Sequence, residues 1–230
     1  MKNKYLLTLL FSLFFLIFSF GQDLIITGVF DGPNSGGTPK GVELYALNDI
    51  SDLSVYGLGS ANNGDGSDGE EFTFPADVLN SGTYIYISSE TTQFNTFFGF
   101  DPTYSSGVMS INGDDAIELF YNGSVIDTYG DIDVDGNGED WEYLDGWAYR
   151  NNDTGPDGTT FQVGNWTFSG PNNLEGGSTN VECSSPFPLG TYSKSPPITD
   201  FVVTFEVNTA NITDGVGPNG IYAGGGMLGD

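Results

Sequence analysis

From residue 22 onward, apolar residues come in short runs broken by Gly, Asn, Asp and Pro, and no stretch carries a helical period for long. The runs fall at 24–30, 41–47, 71–74, 83–88, 108–111, 116–121, 124–129, 141–149 and 165–168. Each reads as a strand. Turn signals spaced by about ten residues predict an all-β chain folded as a sandwich of roughly seven to nine strands. Within 83–88, Ile85 and Ile87 alternate with Tyr84 and Tyr86, so the two faces of that strand meet different surroundings. Asn122-Gly123 supplies the two positive-φ positions of a type I′ turn and predicts a hairpin between 116–121 and 124–129. One short helix is predicted at 90–98, capped by Thr91 or Thr92, with Phe94, Phe97 and Phe98 on one face.

The chain's two ends read differently from its middle. Met1-Lys2-Asn3-Lys4 opens a basic stretch, an apolar run fills 5–18, and Ser19 and Gly21 stand at the −3 and −1 positions of a cleavage site, so 1–21 reads as a secretory signal removed before Gln22. The apolar run is short for a membrane span, which leaves an exported chain with no membrane association after cleavage. The first domain is expected to occupy 22–183. Pro186, Pro188, Pro196 and Pro197 mark 184–199 as a linker. Residues 200–230 restart with the strand-like FVVTFEV at 201–207, too short to bury a core, and read as the start of a second β domain.

Charge removes several function classes. Beyond the signal, Lys40, Arg150 and Lys194 stand against 31 acidic residues. Phosphate backbones need clustered Lys and Arg, so nucleic acid and anionic lipid are poor partners for this surface. The 18 Phe, 12 Tyr and 3 Trp argue against disorder, because acidic disordered segments are poor in aromatics. The chain has no His and one Cys, Cys183, which excludes Ser-His-Asp and Cys-His catalysis and His-ligated zinc. What stays open is carboxylate-pair or metal-assisted chemistry. A single cysteine in an exported chain implies a free thiol or an intermolecular pair, and the blander reading is a small residue in a near-terminal strand.

One acidic run has a metal-loop spacing. In 131–142, Asp131, Asp133, Asp135, Glu139 and Glu142 occupy positions 1, 3, 5, 9 and 12 around Gly136 at position 6. Ca²⁺ takes six to eight oxygens, and this spacing would converge four carboxylates, the Asn137 carbonyl and a water held by Glu139 on one ion. Gly138 stands where a paired loop needs an apolar residue, and the flanks read as strands, so a paired helix–loop–helix is not expected. The competing reading is a solvated turn, because Asp and Asn favour such turns without any metal.

Two further features each carry two readings. Arg150 could clamp an anionic substrate, or it could be a buried partner of Glu43, Glu118 or Asp145 through its planar fork. Trp141, Tyr143, Trp147 and Tyr149 share one strand parity and could form a sugar-stacking platform, or sandwich core. Glycosylation acceptors occur at Asn122, Asn152, Asn165 and Asn211.

Several stretches together resemble the lamin tail domain family in its secreted bacterial form: LIITGVFD at 24–31, GVELYA at 41–46, ISDLS at 50–54, FP at 74–75 followed by LNSGTYIYI at 79–87, GDDAIEL at 113–119 and VIDTYG at 125–130. WEYLDGWAYR at 141–150 looks like a late strand of the same group, and 200–226 resembles the start of another immunoglobulin-like or starch-binding-like module. The resemblance implies an immunoglobulin-like antiparallel β-sandwich without catalytic residues, an accessory module beside nucleases, phosphatases or adhesion domains. The expectation is therefore a monomeric, non-enzymatic binding or adhesion module, secreted or at the cell surface, meeting a surface polymer, a glycan or a protein. The alternatives are the accessory domain of a secreted hydrolase, or a glycan-binding module. Fold alone does not decide among these.

Overall fold

The computed structural model describes residues 22–195. The expected signal at 1–21 and second domain at 200–230 lie outside them. Among these residues, ten strands form two sheets, and one helix packs on the outer face of the larger sheet. The larger sheet orders its strands β10 (Trp166–Phe168), β9 (Trp147–Arg150), β1 (Leu24–Asn34), β2 (Thr38–Ala46), β5 (Tyr84–Ser88) and β6 (Tyr104–Ser105). The smaller orders β4 (Phe72–Thr73), β3 (Tyr56–Ala61), β7 (Ala116–Tyr121) and β8 (Ser124–Tyr129). All pairings are antiparallel except the two-residue β5–β6 contact. The chain forms the expected all-β sandwich.

The larger sheet is covered on both faces. Its inner face meets the smaller sheet in a mostly aliphatic core that includes Leu24, Ile26, Val29, Ile85, Ile117 and Leu119. Its outer face carries a second, mostly aromatic cluster with Ile25, Phe30, Phe94, Phe97, Phe187 and Tyr192. β1 serves both, and it changes parity on the way. Ile26 faces Leu44 and Gly28 faces Glu43, so Thr27 is the extra residue of a bulge. Before it, even-numbered residues face inward; after it, Val29 does.

Local chemistry explains the elements. The β7–β8 hairpin turns on Asn122 at φ 48° and Gly123 at φ 73°, as a type I′ turn requires. Ile85 and Ile87 face the inner core, and Tyr84 and Tyr86 pack half-buried on the outer cluster. The single helix, α1 (Thr91–Phe98), buries Phe94 and Phe97 and closes on Gly99 at φ 86°. Neither Thr91 nor Thr92 caps it: Glu90 holds the N-cap without a capping bond, and its Oε2 accepts from the Lys40 amide at 3.0 Å instead.

Several expectations need correction. Residues 108–111 do not form a strand; Gly107–Met109 is a 3₁₀ turn whose Ser106 hydroxyl accepts from the Val108 amide. Only the end of 141–149 is extended. The chain turns at Asp145, φ 43°, before entering β9. The unforeseen β3 contains Gly57 and Gly59, which give little strand signal, yet a Cβ at Gly59 would stand 2.2 Å from the Gly69 carbonyl oxygen. Residues 184–195 are not a bare linker either. Phe187 and Tyr192 are 2% exposed and seal the outer face. Cys183 is a buried free thiol at the end of a 3₁₀ turn, Asn180–Glu182, and not in a strand. Burial raises its pKa.

Candidate functional site

The acidic loop lies at one end of the sandwich, where β8 hands over to β9. Its side chains serve the loop itself. Asp131 accepts from the Asp133 amide at 3.0 Å, Asp135 from the Asn137 amide at 3.0 Å, and Glu142 from the Gly138 amide at 3.0 Å. These are local turns of the kind Asp and Asn favour. Asp131, Asp133, Asp135, Asn137 and Glu139 are exposed, and Glu142 is half-buried. Among the described residues, no three Asp, Glu, Cys or His side chains gather about a point that could hold a metal ion.

Beneath this loop lies a stiff, largely buried floor. Gly136 donates to the Asp114 carbonyl at 3.0 Å, and a Cβ there would meet the Trp141 ring at 2.5 Å. Asp115 takes the Asn63 amide on one oxygen, at 3.0 Å, and the Asn112 amide on the other, at 3.1 Å. Tyr143 donates to the Asp115 carbonyl at 2.9 Å. Asp31, 1% exposed, accepts from the Asp145 amide at 3.1 Å through Oδ2, whereas Oδ1 has no hydrogen-bond partner among the described residues. Burial pushes the Asp31 carboxyl up to about 7; the Asp145 amide and Lys40 oppose the rise, and Asp145 and Asp114 add to it. Burial likewise raises Asp114, Asp115 and Asp145.

Arg150 sits within the inner core and is neither exposed nor bound to Glu43, Glu118 or Asp145. Its Nη2 donates to both oxygens of Asp127 at 2.8 Å, Nη1 lies 3.1 Å from Asp157, and Nε donates to the Ile26 carbonyl at 2.5 Å. The guanidinium carbon stands 4.4 Å from the Trp166 ring centre. Asp127 also accepts from the Ile26 and Asp157 amides, at 2.9 and 2.8 Å. Burial pushes its carboxyl up, and the guanidinium and these amides hold it down. The sequence does carry a hint of this: Asp127 interrupts the apolar run VIDTY, as Glu43 interrupts GVELYA. An acid in the middle of a buried strand needs a built-in partner.

Glu43 anchors the outer face in the same way. It accepts from Thr27 at 2.8 Å, Tyr149 at 2.7 Å and the Gly190 amide at 2.8 Å, and burial raises its pKa. The Tyr149 hydroxyl in turn accepts from the Thr191 and Tyr192 amides, at 2.9 and 3.0 Å. These bonds strap residues 187–193 across the sheet. Between the strap and β9–β10 an open cleft of about 390 Å³ remains, lined by Trp147 and Tyr149, by Asn151, Asn152, Thr167 and Thr191, and by Arg150 and Pro188. A smaller cleft of about 270 Å³ lies beside Asp131 and Asp133, with Thr159, Thr160 and Phe161 opposite.

The four aromatics expected on one parity thus split. Trp141 and Tyr143 enter the inner core and Trp147 and Tyr149 the outer cluster, all at 8% exposure or less. They form no exposed stripe. No family model matches the chain, and no curated protein and no solved structure matches it either.

Proposed function

We propose that the chain is a non-catalytic binding or adhesion module of an exported protein, similar to the lamin tail domain family in its secreted form. The carrying observation is where the reactive groups sit: Arg150, Asp127, Glu43 and Cys183 are all buried and engaged in holding strands or the closing strap. Recognition then falls to the exposed loops and to the open cleft on a rigid two-sheet scaffold. The acidic end suits cationic or neutral partners and repels nucleic acid.

The test has two arms. The purified full chain is measured for retention on insoluble cell-surface and extracellular polymers, and for hydrolysis of phosphomonoesters, phosphodiesters and glycosides with calcium or magnesium present. The module reading expects saturable retention and no turnover above the blank. Turnover abolished by a single carboxylate substitution would sink it in favour of a hydrolase.

A further inference from the structure

We infer that the cleft between β9–β10 and the 187–193 strap is a binding site for a neutral saccharide. The inference rests on the module reading and names the ligand class of one of its surfaces. In a chain with 31 acidic residues, this lining contains no carboxylate. Its one charged group, Arg150, is spent: Asp127 and Asp157 neutralise it and Trp166 covers it. A phosphate or sulfate would find no free cation here, and a cationic ligand no anion.

What the cleft does offer is a set of amides and hydroxyls beside two aromatic side chains. Thr167 and Tyr149 are paired neighbours on β10 and β9, so both face the cleft side of the sheet. Asn151 and Thr167 are already oriented, the Thr167 hydroxyl donating to Asn151 Oδ1 at 2.7 Å. Asn152 accepts the Ser193 amide at 2.9 Å through Oδ1, and its amide nitrogen has no partner among the described residues. Thr191 donates its hydroxyl to the Pro188 carbonyl at 2.8 Å and keeps acceptor capacity. A pyranose ring matches this pattern, with hydroxyls at its rim for these polar groups and apolar C–H faces that can rest against the apolar surface of Trp147, Tyr149 and Pro188. The volume falls within the range of small-ligand sites, at its open and shallow end.

The site is also held in shape before any ligand arrives. Two strap amides end on the Tyr149 hydroxyl, Gly190 ends on Glu43, and the Trp147 indole donates to the Ser185 carbonyl at 2.8 Å. Little ordering is left for the ligand to impose.

The test screens the full chain on a glycan array carrying neutral, sulfated, sialylated and phosphorylated saccharides. Soluble neutral oligosaccharides are then titrated while backbone amide shifts are followed by NMR, and the insoluble form of the same polymer is assayed by retention. Neutral glycans should be enriched over charged ones, and titration should move the Asn151, Asn152, Thr167 and Thr191 amides first. Thr167→Tyr, which fills the cleft from an exposed position, should weaken binding at least tenfold; Asn152→Ala should weaken it several-fold. Asp133→Ala, remote from the cleft, should bind as wild type. Retention on the insoluble form alone would place the determinant on the packed polymer surface and overturn the cleft assignment, as would preferential binding of charged glycans or shifts confined to other residues. Unchanged binding by Thr167→Tyr overturns the assignment while leaving the module reading intact, whereas turnover of the glycan would overturn both.

Discussion

The two faces of the larger sheet are buried by different means. The inner face is closed by another sheet, aliphatic residue against aliphatic residue, with Arg150, Asp127 and Asp157 as a charged inclusion at one side. The outer face has no sheet above it. It is closed by one short helix and a strap with no regular structure, and the burden falls on large rings: Phe187 packs edge-on against Phe30 at 5.2 Å and Tyr149 at 5.4 Å. Pleated surfaces interlock over many small contacts, whereas an irregular cover needs a few bulky anchors and specific hydrogen bonds to fix it.

Removing the charged inclusion should be the most damaging perturbation of either face. Arg150→Met leaves Asp127 buried without its counter-ion, and breaking such a pair costs about 3–5 kcal/mol; urea unfolding should show a correspondingly lower midpoint. Arg150→Lys should recover only part of the loss, since a lysine cannot donate to both Asp127 oxygens in the plane and span to Asp157. Wild-type stability in Arg150→Met would mean that the inner face does not depend on the pair.

On the outer face, Phe187→Ala should cost about 3–4 kcal/mol, as large-to-small changes in packed aromatic sites do. It should also expose the strap to limited proteolysis between 184 and 195 before the sheets unfold. If the strap stays protected, its hydrogen bonds to Glu43 and Tyr149 hold it without the ring, and the contrast between the two covers weakens.

Asp31, buried towards the end of β1, makes stability depend on pH. The unfolded chain gives up this proton near 3.8, whereas the folded chain keeps it to about 7. The folded state therefore binds more protons across that window, and stability is fully present below about 4 and declines as pH rises towards 7. Asp31→Asn should remove this part of the slope, matching wild type below about pH 4 and exceeding it at pH 8 by on the order of 4 kcal/mol. Equal slopes in variant and wild type would show that Asp31 ionises freely.

The smallest effect should come from the exposed acidic loop. Asp133→Ala removes a side chain for which no hydrogen bond within the loop is needed, and should change stability by less than about 0.5 kcal/mol. A larger loss in thermal melts would give the loop a structural role that its local turns do not account for.

What the sequence could convey follows the same division. The inner face was readable because alternation states it outright: Ile85 and Ile87 against Tyr84 and Tyr86, or the Asn122-Gly123 turn that sets the β7–β8 register. β3 was not, because Gly57 and Gly59 serve close backbone passage and not strand propensity. The strap looks like a linker in sequence since prolines dominate it locally, while the reason for its order, Phe187 over Gly28, lies far away in the chain. Arg150 reads from sequence as an anion clamp or as a buried partner of Glu43, Glu118 or Asp145, and none of those three holds it: the fold alone brings residues 127, 150 and 157 together. The acidic loop was legible as a spacing, and spacing does not say whether side chains converge or turn back on their own amides.

Gly28 is where the strap meets the first strand. A Cβ there would stand 2.5 Å from the Phe187 ring, so the bare backbone forms the seat in which the ring rests. The seat is made early and its occupant late. A chain emerging from its N-terminus can pair β1 with β2, but β9 and then Phe187 must appear before that strand is closed on both sides. Contacts so distant in sequence form slowly, and an aromatic surface left open meanwhile invites association between nascent chains. Phe187 and Tyr192 are thus the last rings of the outer cluster in chain order, and the sheet's outer face stays uncovered until they arrive.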